Sequence, residues 1–523
     1  MKFCKKILTL LLACAMLFPV FAGCTKKTSP NTETDIEISF WVGGFRQEFM
    51  DAIVEAFNAE YPEYNAFLTT GRQASTLVNT LNLKEDDTVD IYMNSLGAVR
   101  SYLDTAENIT ALVKEQKIDG EDYTVLDKFD DSMIAAMTND DDSISMVAWA
   151  GAMTGIMYNA DIIDGSAYTV PRTSEELRDL CIDLNGNGIT PIVHFQVSDL
   201  GYYLYLVKTW QAQYSGLDYF NNTWQKLKDA EGNSPSKEVM LSETDGRKQA
   251  LEALGMILTP NFVLAGSNSM DFTPAQTNFI QGKAAMMVNG SWIQIEMANS
   301  GGKDMNMRMM RTPIISSIVD KCPSLNGDDY ALRAVVDSVD AVIDGGEPPL
   351  TGDDAAMVDV GGGYQVTEAD WQTIYDARTL VYSNGAQHVM FINKYSNAKA
   401  GAQKFLQFYF SDEALKIYTD YTHQAPNATI QGDVTIDQSD WTDFEKDQYT
   451  KAGKFTLISD GVSQSALFTK TTVHLYGTQP VINQLSATNS GDRKTASQVW
   501  DLFEQEVNDD WDEWMENAGI SLE

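Results

Sequence analysis

The sequence predicts an α/β fold in which a largely parallel sheet carries helices on its faces. Residues 36–41 alternate in polarity as a strand does, residues 45–57 repeat apolar side chains at helical spacing, and residues 67–70 and 89–93 read as two further strands. A helical stretch over residues 77–83 separates these last two. Because parallel neighbours need a crossover connection, this alternating order of strands and helices indicates a parallel-rich sheet.

Length and composition favour a large soluble protein of two or three domains. The chain has 523 residues, of which 44% are hydrophobic and 21% are charged. Its 74 acidic residues outnumber its 37 basic ones, which gives a formal net charge of -37. Because such a surface repels phosphate backbones, we expect no nucleic-acid partner.

The N-terminal residues are typical of an exported bacterial lipoprotein. Three lysines precede an apolar run over residues 7–21, which is too short for a spanning helix, and Ala22-Gly23-Cys24 resembles a lipobox. We therefore expect a signal peptide over residues 1–23, lipid attachment at Cys24, and a flexible tether over residues 24–35. The protein would then sit on the extracellular face of the cytoplasmic membrane. The alternative is a plain secretory signal with an incidental cysteine.

Metal, nucleotide and nucleophile motifs are missing from the sequence. The four histidines are scattered without ligand spacing, and there is no phosphate loop or nucleophile elbow. Residues 183–188 begin like a calcium loop, but His194 stands where a bidentate Glu is needed, so we favour a polar turn. We expect no cofactor and no metal. Outside the leader only Cys181 and Cys322 remain, and both a disulfide and two free thiols are open.

Several polar and aromatic side chains follow the predicted strands directly. Trp41, Arg46, Arg72 and Asn94 lie at or just after strand ends. In open α/β sheets, ligands bind beyond the carboxyl ends of the strands. These residues are therefore candidates for a binding site.

The segment from residue 279 to residue 292 is the sharpest local pattern in the chain. Gly282 ends a predicted helix, residues 284–288 form a short buried strand, and Asn289-Gly290 is expected to turn. Ser291 and Gln294 have the spacing of a capping box. This interpretation places Trp292 in the first turn of a helix, at the carboxyl end of a strand.

Taken in order, these segments resemble the carbohydrate-type extracellular solute-binding proteins of family 1, the group that includes maltose-binding protein. The resemblance spans roughly residues 36–430. Its motifs are Asp90-Ile91, the Tyr-Asn pair that ends residues 149–159, Pro-Arg-Thr-Ser-Glu-Glu-Leu at 171–177, Phe-Ile-Gln-Gly-Lys-Ala-Ala-Met with Gly-Ser-Trp within 279–292, and Ala-Gln-Lys-Phe-Leu followed by Ser-Asp-Glu within 402–413.

The resemblance implies a two-lobed, type II periplasmic-binding-protein-like fold, each lobe a mostly parallel sheet flanked by helices, with a hinge between the lobes. By analogy the first lobe would comprise residues 36–152 and 306–430, with an insertion at about 322–383. The second would comprise residues 153–305 and 431–523. The family's function implies capture of a mono- or oligosaccharide by a monomer and its delivery to the permease subunits of an ABC importer, on domain closure.

A neutral sugar has apolar faces and a rim of hydroxyls, so its site needs aromatic platforms and fixed polar groups. The predicted platforms are Trp41, Trp149 and Trp292. The predicted polar groups are Arg46, Arg72, Asn94 and His388. A packing or capping role is the alternative for each. The chain is expected not to be an enzyme; the alternatives are a surface-anchored glycoside hydrolase, a binding protein for another polar solute, and an adhesive lipoprotein.

Overall fold

The computed structural model describes residues 32–42, 45, 47–70, 89–95, 105–139, 141–164, 167–195, 199–459, 465–487 and 491–521. The predicted leader with Cys24, most of the tether, Arg46, Arg72 and the predicted helix over 77–83 lie outside these residues. No helix among the described residues is both long and apolar enough to cross a membrane.

Twelve strands and eighteen α-helices are present in the described residues. The strands are β1 (Asp35–Phe40), β2 (Asn65–Thr70), β3 (Ile91–Ser95), β4 (Val147–Ala148), β5 (Met153–Asn159), β6 (Met286–Gly290), β7 (Met307–Met309), β8 (Met357–Gly361), β9 (Tyr364–Thr367), β10 (Leu380–Ser383), β11 (His388–Ile392) and β12 (Thr456–Ile458). The helices are α1 (Glu48–Glu60), α2 (Thr110–Lys114), α3 (Asp131–Met137), α4 (Ser174–Gly186), α5 (Tyr203–Ser215), α6 (Leu217–Tyr219), α7 (Lys237–Met240), α8 (Arg247–Ile257), α9 (Phe272–Ile280), α10 (Ile293–Glu296), α11 (Asp329–Ile343), α12 (Glu368–Arg378), α13 (Lys399–Tyr409), α14 (Asp412–Thr422), α15 (Asp443–Ala452), α16 (Ala466–Lys470), α17 (Val481–Leu485) and α18 (Ala496–Ala518).

The first sheet has the strand order β2-β1-β3-β11-β4. Strand β1 is parallel to both β2 and β3, which confirms the predicted parallel pairing of the first three strands. Strand β11 is antiparallel to β3 and β4. Because β11 runs in the opposite direction, its first residue, His388, lies at the same edge as the carboxyl ends of β1 and β3.

The second sheet has the order β12-β10-β5-β6, and β7 also pairs with β5. Only β10 and β12 are parallel; β5 is antiparallel to β10, β6 and β7. The expectation of a mostly parallel sheet in each lobe is therefore wrong for this sheet. Strand β5 begins where the chain arrives from β4 of the first sheet, and β10 ends where the chain returns to β11 of the first sheet. The two strands therefore run in opposite directions.

Buried side chains form separate cores around the two sheets. The first core gathers apolar residues from 36–150 and 390–428 around the first sheet. The second core gathers residues from 152–382 and 458–515. Across the second sheet from it lies a smaller core that includes Met153 and Met157.

This packing differs from the predicted division at residues 306–383, which the resemblance assigned to the first lobe. Strand β7 pairs with β5, and β10 is an inner strand of the second sheet. Helices α11 and α12 and the β8–β9 hairpin bury their apolar side chains in the second core. The predicted insertion is therefore part of the second sheet and its packing, because β10 lies between β12 and β5 in that sheet.

The C-terminal helix α18 lies on the second core. Trp500, Phe503, Val507, Trp511 and Trp514 are all buried there. Since these residues recur every three or four positions, they share one face of the helix.

The two cysteines outside the leader are buried and free. The calcium-like segment is the end of helix α4, where the Asn187 side chain donates a hydrogen bond to the Asp183 carbonyl at 2.8 Å. Gly188 follows with a left-handed φ of +77°, a conformation that glycine adopts readily. The polar-turn interpretation is right for residues 187–188 and wrong for residues 183–186, which belong to the helix.

Three segments connect the first core to the cores of the second sheet: residues 149–153, 383–388 and 423–442. We call them together the joint. Trp149 belongs to the first core and Ala152 to the second, so the first segment passes between cores within a few residues. The third segment leaves the first core after Ala428 and reaches the smaller core at Phe444.

The Asn427 side chain packs closely against two glycines of the joint. A Cβ atom on Gly151 would lie 2.4 Å from the Asn427 amide nitrogen, and one on Gly385 would lie 2.0 Å from it. The Ser383 hydroxyl donates to the Asn427 Oδ1 at 3.0 Å. Because the Asn427 amide lies so close, only glycine fits at positions 151 and 385. The three segments of the joint therefore meet at the Asn427 side chain.

Candidate functional site

The first aromatic patch consists of Trp41, Phe45 and His388, at the edge of the first sheet where β1 ends and β11 begins. The ring centroids of Trp41 and His388 are 5.5 Å apart, and those of Phe45 and His388 are 5.0 Å apart, both in edge-to-face geometry. The Trp41 and Phe45 side chains are half-buried. The structure thus places the two predicted residues Trp41 and His388 in contact and adds Phe45, which was not predicted.

Trp149 lies beneath this patch and is only 2% exposed. Phe45 covers it with a centroid distance of 4.8 Å, and Phe40 packs against it at 5.5 Å. Its backbone N–H donates to the His388 carbonyl at 2.9 Å, and its own carbonyl accepts from the Tyr409 hydroxyl at 2.9 Å. Because its ring is covered, Trp149 supports the first patch from behind and does not present a platform.

His388 is a neutral side chain in an aromatic setting. Burial lowers the pKa of its imidazole to about 4, so the ring carries no charge near neutral pH. Its Nδ1 atom has no hydrogen-bond partner among the described residues. A neutral imidazole offers one donor and one acceptor, which suits a hydroxyl group.

Asn94 lies one residue along the same edge, where it pairs with Val389 across β3 and β11. Its side chain is fully buried. The structure therefore places Asn94 next to His388 in the sheet but below the surface. The other two predicted polar residues, Arg46 and Arg72, fall outside the described residues.

The second aromatic patch consists of Phe195, Tyr202, Phe272 and Trp292 at the end of β6. Tyr202 is its centre, with ring centroids 5.0 Å from Phe195, 5.5 Å from Phe272 and 5.7 Å from Trp292. The Trp292 ring is 9% exposed, whereas the other three rings are half-buried.

Gly290 allows the Trp292 ring to fold back on the strand. A Cβ atom at Gly290 would lie 2.0 Å from a ring carbon of Trp292. The predicted turn at 289–290 and the predicted capping box are wrong: both residues belong to β6, and helix α10 has only four residues with no side-chain cap at Trp292. The Gln294 side chain instead accepts a hydrogen bond from the Thr442 hydroxyl at 2.7 Å.

Both patches adjoin the joint. The Ser291 backbone N–H donates to the Met153 carbonyl at 2.9 Å, so Trp292 follows directly after a contact with the first connecting segment. On the other side, Trp149 and His388 are the outer residues of two connecting segments. The Thr442–Gln294 hydrogen bond ties the third segment to the helix that carries Trp292.

Sequence reasoning missed Phe45, Phe195, Tyr202 and Phe272. Tyr202 lies in a run of aromatic residues that opens helix α5, and this run was the available signal. Phe45 lies between Trp41 and Arg46, just after the first strand, so the strand-end rule could have included it. Phe195 and Phe272 follow no predicted strand, so only the fold brings them to the second patch.

A cavity of about 390 Å³ lies between helix α3 and the segment 225–235. None of the predicted site residues lines it.

Comparison with known proteins matches residues 45–416 to the family described as bacterial extracellular solute-binding protein. No curated protein matches the sequence. Solved structures match over nearly their whole length at low identity, and this likeness shows the fold.

Three of these structures illustrate the match. A cyclic alpha-maltosyl-1,6-maltose binding protein from Arthrobacter globiformis has a TM-score of 0.58 and 15% identity, over 91% of this chain and 98% of its own. The apo form of RafE from Streptococcus pneumoniae has a TM-score of 0.56 and 14% identity, over 91% and 98%. Maltose-bound MalE3 from T. maritima has a TM-score of 0.55 and 15% identity, over 91% and 99%.

Proposed function

This chain belongs to the family of bacterial extracellular solute-binding proteins, and on that premise we propose that it captures a mono- or oligosaccharide between two lobes and delivers it to an ABC-type import permease. A solute-binding role follows from the family itself. The carbohydrate, the permease and the manner of attachment to the membrane are the parts proposed here.

The observation that carries the carbohydrate assignment is the pair of aromatic patches on either side of the joint. Trp41 and Phe45 offer half-buried ring surface on one side, and Tyr202 offers it on the other, beside the more deeply buried Trp292. Aromatic rings bind the apolar C–H faces of sugars and leave the hydroxyl rim free for hydrogen bonds. Proteins named for raffinose and maltose binding share the fold, which supports the same ligand class.

The polar part of the site also suits a neutral ligand. His388 is uncharged near neutral pH, so the first patch places no positive charge beside a ligand. A formal net charge of -37 on the chain disfavours strongly anionic solutes.

The joint can act as the hinge for the proposed closure of the two lobes around the sugar. Three segments connect the two packed bodies, and such connections absorb the dihedral changes of a hinge. A ligand that contacts both patches binds the closed form more tightly than the open form, and that difference in affinity shifts the population. We propose that the permease binds this closed form, and that a lipid on Cys24 keeps the protein at the membrane.

The proposal is tested by a thermal-shift panel of mono- and oligosaccharides, with peptides and polyamines as the competing solutes. A sugar present at 100 times its Kd stabilises the folded protein by about 2.7 kcal/mol, which raises Tm measurably. We expect at least one sugar to raise Tm and to shift Trp fluorescence. Stabilisation by peptides or polyamines alone would contradict the proposal, and release of reducing ends from oligosaccharides would favour the glycoside hydrolase.

A further inference from the structure

The second aromatic patch continues into a pair of polar side chains. At helix α10, Glu296 follows Trp292 by one turn, and its backbone N–H donates to the Trp292 carbonyl at 3.0 Å. Phe272 and Gln276 are likewise four residues apart on helix α9. Residues four apart share one face of a helix. Each helix therefore carries one ring of the patch and, one turn further on, a polar group on the same face.

The two polar groups bond each other. Gln276 Nε2 donates to Glu296 Oε2 at 2.8 Å. Gln276 is only 1% exposed, whereas the Glu296 side chain is exposed. Because a buried amide needs a hydrogen-bond partner, this bond holds the Glu296 carboxylate in one place from behind. The other carboxylate oxygen, Oε1, accepts no hydrogen bond from any residue that the structure describes.

The Glu296 carboxyl group lies at the wall of a recess. Part of its side chain is exposed, yet the protein around the carboxyl raises its pKa by burial, and the bond from Gln276 opposes that shift. The ring at the centre of the patch is near enough to sense its charge: burial raises the pKa of the Tyr202 hydroxyl, and the negative charge of Glu296 adds to this shift. Within the described part of the chain, no lysine or arginine forms an ion pair with Glu296.

We propose that Glu296 places a fixed negative charge in the carbohydrate site, so that the site selects neutral and amino sugars against uronic acids. This selectivity rests on the proposed function and deepens it. The carboxylate accepts hydrogen bonds from sugar hydroxyls and from the ammonium group of an amino sugar, and charge-assisted bonds are roughly twice as strong as neutral ones.

A uronic acid brings a second carboxylate to the same place. Like charges that face each other across an interface strongly disfavour binding. The aromatic rings make no such distinction, because neutral, amino and uronic sugars present similar apolar faces to them. Glu296 is therefore the residue of the second patch that distinguishes sugars by their charge.

The test compares the wild type with Glu296→Gln. Glutamine keeps the size of the side chain, and its amide oxygen can still accept the hydrogen bond from Gln276, so Tm should change little. The probes are glucose, glucosamine and glucuronic acid, their three galactose counterparts, and short oligomers of each, titrated by calorimetry into the full chain.

We expect the wild type to bind the neutral or amino member of a series at least about tenfold more tightly than its uronic acid. Glu296→Gln should lower the affinity for the amino sugar about tenfold and raise the affinity for the uronic acid by a similar factor. Charges outside the described residues, such as those of Arg46 and Arg72, are present in both proteins and cancel in this comparison.

Asp376→Asn is the matched control. Asp376, on helix α12 in the same packed body, is also exposed, accepts a hydrogen bond from Gln372 Nε2 at 2.7 Å, and has its pKa raised by burial. It belongs to neither aromatic patch, so its replacement removes one negative charge and should leave the selectivity unchanged. An equal loss of selectivity in Asp376→Asn would assign the effect to overall charge and would contradict the proposal.

The failure of this proposal is distinguishable from the failure of the proposed function. A wild type that binds the uronic acid of a series as tightly as its neutral member would overturn the role of Glu296 and leave sugar binding intact. Selectivity that persists in Glu296→Gln would do the same. A wild type that binds none of these probes would also overturn the selectivity, and the thermal-shift panel then shows whether sugar binding fails with it.

Discussion

Replacing Trp292 by Ala is expected to lower the affinity for the sugar about 100-fold, which corresponds to about 3 kcal/mol of binding free energy. The indole ring is the largest ring of the second patch, and it is held by Tyr202 and by close contact with Gly290. Its removal takes away a stacking surface that no neighbour can replace. The measurement is a calorimetric titration with the sugar that gives the largest thermal shift.

Trp511→Ala provides the matched control for this variant. Trp511 is 6% exposed against 9% for Trp292, and both side chains belong to the second core. Both variants therefore lose a buried indole and should lower Tm, but only Trp292→Ala should lose affinity. Wild-type affinity in Trp292→Ala would show that the second patch does not bind the sugar.

The second large effect is a pH dependence of stability that His388 imposes. In the folded protein burial lowers the pKa of His388 to about 4, whereas an unfolded histidine titrates near 6.5. Between these values the unfolded chain binds a proton that the folded chain does not, so stability falls as pH falls from about 6.5 to 4. The full effect is about 3 kcal/mol, and about 2 kcal/mol of it is lost by pH 5.

His388→Phe isolates this contribution, because Phe keeps an aromatic ring in the patch and does not titrate. Urea unfolding of both proteins at pH 7 and pH 5 should show that the wild type loses about 2 kcal/mol more than the variant. Buried carboxyl groups such as Asp90, whose pKa is raised by burial, act in both proteins and cancel in the comparison. Equal losses in the two proteins would mean that His388 is not kept neutral by burial.

The sequence predicts the first sheet well because local patterns decide it. Polarity alternates along residues 36–41, and the helix and strand that follow have regular spacing, so β1, β2 and β3 form as expected. The strand-end rule then identifies Trp41. It also identifies Asn94, but it cannot tell that this side chain is covered, since burial depends on what packs above the strand.

The second sheet is harder to predict because its strands come from distant parts of the chain. Strand β10 follows β5 only after helices α4 to α12, and the glycine- and proline-rich residues 345–363 before it suggest an insertion. Only pairing with β5 and β12 shows that the segment is structural.

The same limit applies to the aromatic residues of the site. Trp149 sits at a break between strands, as a platform residue does, yet Phe40 and Phe45 cover it. Tyr202 and Phe272 are far apart in sequence and meet only through the packing of α5 and α9 near β6. Sequence patterns locate strand ends; they do not show which rings remain accessible there.

A crystal structure of the complex with the most stabilising sugar tests the central claim most directly. We expect the sugar ring between the two patches, with Trp41 or Phe45 on one face, Trp292 or Tyr202 on the other, and a hydroxyl within hydrogen-bond distance of His388. A sugar bound elsewhere, such as in the cavity beside helix α3, with both patches unoccupied, would contradict the account.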